Sequence, residues 1–102
     1  MIRKKPKEID KEKLSKRNEF FLSIWNKRPH RSEIDNEYLG KEAKSTYFHH
    51  ILPKSKYKSA EFDEDNIILL TLHQHEMVEM DKYKYEEINT RREKLLEKYK
   101  TK

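Results

Sequence analysis

Four of the chain's five histidines fall in two close pairs, His49-His50 and His73 with His75, and Asn66 lies between them. Imidazole binds transition metals through a neutral nitrogen and accepts protons near neutral pH. One small site built from such residues can therefore hold both a metal ligand and a general base. The chain has no cysteine. Disulfides and thiolate zinc sites are excluded, and any metal must be held by His, Asp, Glu or Asn.

The elements that position these residues follow from apolar spacing. From about Asp10 to Lys27, Leu14, Phe21, Ile24 and Trp25 recur at helical spacing and Phe20 and Leu22 widen the stripe. Arg28-Pro29 ends it, which predicts a first helix with one buried face. Ser45 to Leu52 is rich in aromatic and β-branched residues and stops at Pro53, and Asn66 to Leu70 is a second short strand. The two are expected to pair as an antiparallel ribbon around a loop from Pro53 to Asp65. Thr71 with Gln74 fits a capping box, so a helix should start at Leu72 and run to about Lys82, with His75 and Glu79 on one face. Tyr85, Ile88, Leu95, Leu96 and Tyr99 form the apolar stripe of a last helix, over 84–100. Adjacent strand residues point to opposite faces, so His49 and His50 meet one site only if the strand ends or bulges there. Pro53 makes such an end plausible.

Of 102 residues, 42% are charged and 33% apolar, against roughly 45–50% apolar in a typical domain, which argues against a second core. The net charge is +5. Residues 1–19 and 82–102 each carry eight basic against four acidic side chains, and Lys54, Lys56 and Lys58 add three cations. Residues 59–81 hold seven acids and no Lys or Arg. This balance favours polyanionic partners, nucleic acid or an anionic membrane, and an acidic, histidine-bearing centre between basic arms suits a metal site acting on a phosphodiester. Solvated lysine-rich faces would give the same totals. Residues 1–8 are expected to form a flexible basic arm. With no apolar run of about 18 residues and no signal-peptide core, the protein is expected to be soluble and cytoplasmic.

Over roughly residues 29–82 the chain resembles the HNH endonucleases of the ββα-metal, or His-Me finger, class. The resemblance is carried by Phe48-His49-His50-Ile51-Leu52-Pro53-Lys54-Ser55, by Asp65-Asn66-Ile67-Ile68-Leu69-Leu70, and by His75 nine residues beyond Asn66. It implies that His49 and His75 bind one divalent metal (Mn, Ni, Mg or Zn) and that His50 activates water. It further implies that Asn66 fixes the loop between the strands or also reaches the metal, and that the products carry 5′-phosphate and 3′-hydroxyl ends. Many family members hold a structural zinc with two Cys-x-x-Cys pairs. The matching places here are Ser32 with Asp35 and Thr71 with Gln74, so the spacing survives without the thiolates and helix packing is expected to replace the zinc. Ile24-Trp25-Asn26-Lys27-Arg28-Pro29-His30 also resembles the lead-in of phage NinG/Rap recombination endonucleases, which act on branched DNA.

Other residues read more plainly. His30, beside Pro29, is a loop histidine. His73 lies two positions from His75, roughly 200° around a helix, which argues against a shared metal. Asn66 by itself would be a turn residue. Trp25, Phe20, Phe21, Phe48, Tyr99, Met77 and Met80 are expected in the core. The expectation is thus one α+β domain, a ββα-metal finger over 46–82 braced by an amino-terminal and a carboxy-terminal helix. It would act as a metal-dependent DNA endonuclease, with Lys54, Lys56 and Lys58 on phosphates. Cleavage of both strands would favour a dimer. The rival expectations are an inactive nucleic-acid-binding module and a domain whose histidines hold zinc only for structure.

Overall fold

The computed structural model describes residues 11–100; the arm expected over residues 1–8 and the side chain of Leu14 lie outside what is described. Helix α1 (Lys11–Lys27) leads through an irregular segment to strand β1 (Phe48–His50). Strand β2 (Ile67–Leu69), helix α2 (Leu72–Met80) and helix α3 (Glu86–Tyr99) follow. The described residues are α+β: three helices around a two-stranded antiparallel sheet, in which Phe48 pairs with Leu69, His49 with Ile68 and His50 with Ile67.

The first strand is shorter than its composition predicts. Ser45–Tyr47 coils into a 3-10 turn, and only Phe48–His50 is extended. The partner sets the limit, because β2 lies between the 3-10 turn Glu64–Asn66 and the cap of α2. Beyond the paired residues the ladder gains one bond at each end, Leu70 N to Tyr47 O (2.9 Å) and Ile51 N to Asn66 O (2.8 Å). The capping box forms as expected: Thr71 Oγ1 accepts from Gln74 N at 3.1 Å, and Gln74 Oε1 accepts from Thr71 N at 3.0 Å. Helix α2 stops at Met80, two residues early, where Asp81 turns extended (φ −149, ψ 98). Met80 is consequently 79% exposed and is no core filler.

The ribbon has an apolar cluster on each face. Phe48, Ile67 and Leu69 pack against Ile24 and Trp25 of α1, with Leu39. On the other side Ile51, Leu52, Ile68 and Leu70 pack against Val78 of α2 and Ile88 and Leu95 of α3. Each such aliphatic side chain removed from water contributes roughly 1.5–3 kcal/mol. Strand β2 is therefore covered on both sides, and its backbone cannot turn to water.

In an antiparallel ladder with bonds at the flanking pairs, Ile67 and Leu69 direct their backbone groups to the outer edge. Each group there has a partner. Ile67 N donates to Glu64 O, and Ile67 O accepts from Arg28 Nη1 at 2.7 Å. Leu69 N donates to Glu33 Oε2 at 3.0 Å, and Leu69 O accepts from Glu33 N at 2.9 Å. Glu33 also bridges Arg28, at the end of α1, and Arg91 of α3, with one carboxylate oxygen on each. One side chain thus ties two helices to a strand edge.

Burial pushes the Glu33 carboxyl up, but hydrogen bonds from Arg91 and from the Leu69 amide, with the charges of Arg28 and Arg91, outweigh it and leave its pKa lowered. A lowered folded-state value stabilises the fold above the ordinary carboxylate range, and that contribution fades as pH falls through the folded value. Glu33→Gln should lose about 2–4 kcal/mol near neutral pH by urea denaturation. The gap to wild type should narrow as pH approaches 3; a constant gap would remove the carboxylate charge from the explanation.

Candidate functional site

The strand alternation decides what each histidine meets. His49, paired with Ile68, faces α2, where its ring lies edge-on to that of His75 with centroids 5.3 Å apart. His50, the last residue of β1, faces α1, its ring 6.1 Å from that of Phe21. The two rings leave opposite faces of one strand end. A single substrate group reaching both must lie across that end.

His75 sits in the first turns of α2 because the capping box starts the helix at Leu72. Its Nδ1 is 2.8 Å from Thr46 O, in the 3-10 turn before β1. A carbonyl only accepts, so Nδ1 carries the proton and the Nε2 lone pair is free to bind a metal. Glu79, one turn on, brings Oε2 to 3.7 Å from that nitrogen, beyond hydrogen-bond range. Burial first, then the charges of His75, His50 and Arg92, pushes the His49 pKa down to about 4, which keeps this ring neutral at physiological pH.

His50 is oriented from the other strand's loop. Its Nε2 is 3.0 Å from Glu61 O, so by the same argument Nε2 carries the proton and Nδ1 keeps a lone pair. Burial lowers its pKa, partly opposed by the Glu61 carbonyl and carboxylate, and Lys54 and Arg17 lower it further. A partly buried neutral imidazole with one nitrogen pinned and the other open can accept a proton.

The residue before Glu61 is held in turn by Asn66. Asn66 Oδ1 accepts from Leu52 N at 2.7 Å, while Nδ2 donates to Leu52 O and to Ala60 O, each at 3.1 Å. Asn66 therefore clamps the start of the loop to its end, one residue from Glu61. Both ends of its amide are engaged there, so it does not reach toward His49. It is also fully buried, where a turn residue would be exposed: the ladder bond it makes to Ile51 draws it beneath the loop.

Lys54, Lys56 and Lys58 lie exposed on the clamped loop, with Lys54 Nζ 3.9 Å from Glu61 Oε2. His73 is exposed beside Tyr38 and Leu72 in a groove on another part of α2 and does not join His49 and His75. His30 stacks on Trp25 with centroids 3.8 Å apart, a structural role. The structure adds two residues, Arg17 and Arg92, to those singled out by sequence. Glu79 was legible as the neighbour of His75 at helical spacing. Arg17 and Arg92, whose charges act on His50 and His49, come from distant helices and left no local signal.

Ser32, Asp35, Thr71 and Gln74 also come together. Ser32 Oγ donates to Gln74 Oε1 at 2.6 Å and accepts from the amides of Ile34 (3.1 Å) and Asp35 (3.4 Å). Ser32 and Gln74 are 3% and 5% exposed, so this polar cluster joins the segment after α1 to α2 from inside the protein.

Among the described residues no three His, Cys, Asp or Glu side chains close into a metal cage, and no helix is long and apolar enough to cross a membrane. What the site offers is two imidazoles in contact, one held neutral and one with a free Nε2, and a carboxylate beside them. That donor set suits a borderline transition metal with open positions better than hard Mg²⁺. Compared with protein-family models, curated proteins and solved structures, the chain matches none.

Removing the Asn66 amide would strand the Leu52 amide and two carbonyls in the interior. Asn66→Ala should therefore cost about 2–4 kcal/mol in urea denaturation, and a loss below about 1 kcal/mol would mean that the clamp is dispensable. His49 makes a separate pH signature in chelator-treated protein. Its folded pKa lies below the unfolded value, so the unfolded state binds the extra proton and stability falls as pH drops from about 6.5 to about 4. His49→Gln should flatten that part of the stability profile; an unchanged slope would mean that the ring is protonated when folded.

Proposed function

We propose that the protein is a metal-dependent DNA endonuclease of the HNH, ββα-metal kind. The observation that carries the reading is the pairing at one strand end of His49 against His75 with His50 pinned by a carbonyl of the Asn66-clamped loop. The cluster of Ser32, Asp35, Thr71 and Gln74 adds support, since these are the positions at which the zinc-bearing relatives implied by the sequence resemblance carry thiolates. The β1–loop–β2–α2 arrangement is accordingly read as a ββα-metal finger, braced by α1 and α3.

In this reading His49 and His75 hold the cation, with Glu79 available beside them, and DNA phosphate lies across the end of β1. When bound, a divalent metal supplies positive charge to the phosphate and to the departing 3′ oxygen. His50 takes a proton from the attacking water at Nδ1. The Glu61 carbonyl keeps its ring turned and its Nε2 protonated, and the Asn66 clamp keeps that carbonyl in place. The lowered pKa leaves His50 free to act as a base at neutral pH. Arg17, Lys54 and Arg92 surround the two histidines with positive charge, which favours a polyanion. Lys56 and Lys58 extend that charge along the loop as phosphate contacts that carry no sequence information.

Nicking of supercoiled plasmid tests the proposal. Mn²⁺ or Ni²⁺ should support more cleavage than Mg²⁺, and no nicking with any divalent metal would leave a binding module in its place. His50→Ala should lower the rate by roughly 10²–10⁴ with metal affinity intact and no rescue by added metal. His75→Ala should weaken metal binding in a calorimetric titration and recover part of its activity at higher metal concentration. The opposite pattern would exchange the two roles.

A further inference from the structure

Helix α2 ends at Met80, directly after Glu79, and the turn that follows shows large side chains used neither by the core nor by the histidine site. Met80 is 79% and Tyr83 61% exposed. The backbone that presents Tyr83 is held firmly. Tyr83 N donates to Asp81 Oδ1 at 3.1 Å, and Asn89 Nδ2 donates to Tyr83 O at 2.9 Å. Arg92, from α3, completes the frame by donating to Lys82 O at 2.7 Å and to Asn89 Oδ1 at 2.8 Å.

Two cations lie over the ring. The Arg92 guanidinium carbon is 5.0 Å from the ring centroid and Lys82 Nζ is 5.3 Å from it. Residues 80–85 contain one acid, Asp81, whose carboxylate caps the turn. An exposed aromatic ring carried on a hydrogen-bonded turn, with two cations against it and most of its residue's surface still open, matches the two demands of an unpaired nucleotide, a flat surface for the base and positive charge for the phosphates. In an uninterrupted duplex the base faces are covered by stacking. The ring can therefore serve only a strand whose bases are free.

We propose that Tyr83, with Arg92 and Lys82, is a stacking platform for single-stranded nucleic acid. Because the platform directly follows the helix of His75 and Glu79, and resting here on the nuclease reading, it would favour substrates with unpaired nucleotides next to the cleaved phosphate. The binding itself does not need that reading.

The test is fluorescence anisotropy with the full chain in EDTA, where nothing is cleaved, using a labelled oligothymidine of roughly 12 nucleotides, the duplex of that length, and an abasic version of the single strand. Tyr83→Ala should weaken oligothymidine binding by about 5- to 100-fold, the effect of losing one base stack, and change duplex binding by less than about twofold. Tyr83→Phe should bind as wild type does, since it keeps the ring. The abasic strand should bind wild type no better than oligothymidine binds Tyr83→Ala. Three results would each overturn the platform: unchanged binding by Tyr83→Ala, equal losses for single strand and duplex, or displacement of oligothymidine by polyglutamate as readily as by unlabelled oligothymidine. Failure to nick plasmid would sink the nuclease reading and leave these measurements standing, while failure here would leave the histidine site untouched.

Discussion

A strand buried on both faces must satisfy every backbone group within the protein, and much of this structure answers that demand for β2. Ile67, Ile68, Leu69 and Leu70 have no exposed surface. With a single neighbouring strand, half of the hydrogen-bonding groups of β2 would lack partners in a core where each orphan costs about 1–3 kcal/mol. The Glu33 backbone and carboxylate, the Arg28 guanidinium and the Glu64 carbonyl fill that missing edge. Satisfying the edge also fixes where α1 ends and where α3 lies, because Glu33 binds an arginine from each.

The same economy of contacts shapes the histidine site. Each of its pinned rings is oriented by a main-chain carbonyl from a 3-10 segment or its edge: Thr46 for His75 and Glu61 for His50. Carbonyls only accept, so each fixes which nitrogen carries the proton when the ring is neutral. Burial lowers the pKa of both His49 and His50, and the cations Arg92, Lys54 and Arg17 on α3, the loop and α1 add to that effect, against the opposing charge of Glu61. On the proposed function, metal binding and proton acceptance both need the neutral ring.

What was legible in the sequence was local. The capping box at Thr71 and Gln74 names its own helix start, and the apolar spacing around Ile24 and Ile88 names two helices, since these signals lie within a few residues. The histidine pairs and Asn66 were visible as a set, but the depth of Asn66 was not, because its burial depends on Leu52 and Ala60 across the loop. Strand length was overestimated from the aromatic content of Ser45–Leu52, as pairing depends on a partner that extends over only three residues. Glu33 gave no signal at all. Arg28 is five residues off, but the other partners lie 36 residues away at Leu69 and 58 away at Arg91.

The chain has a single tryptophan, and Trp25 is 4% exposed, packed with Leu39 and Phe48 and stacked on the His30 imidazole. Its indole emission therefore reports on the α1 side of the ribbon alone. Tyr57, Tyr85 and Tyr99 border the cluster on the opposite side. Tyr47, however, stacks on Trp25, so tryptophan alone is a built-in optical label for one half-core, and comparing its signal during unfolding with the helical circular dichroism of the whole chain would reveal whether the halves come apart together or one before the other.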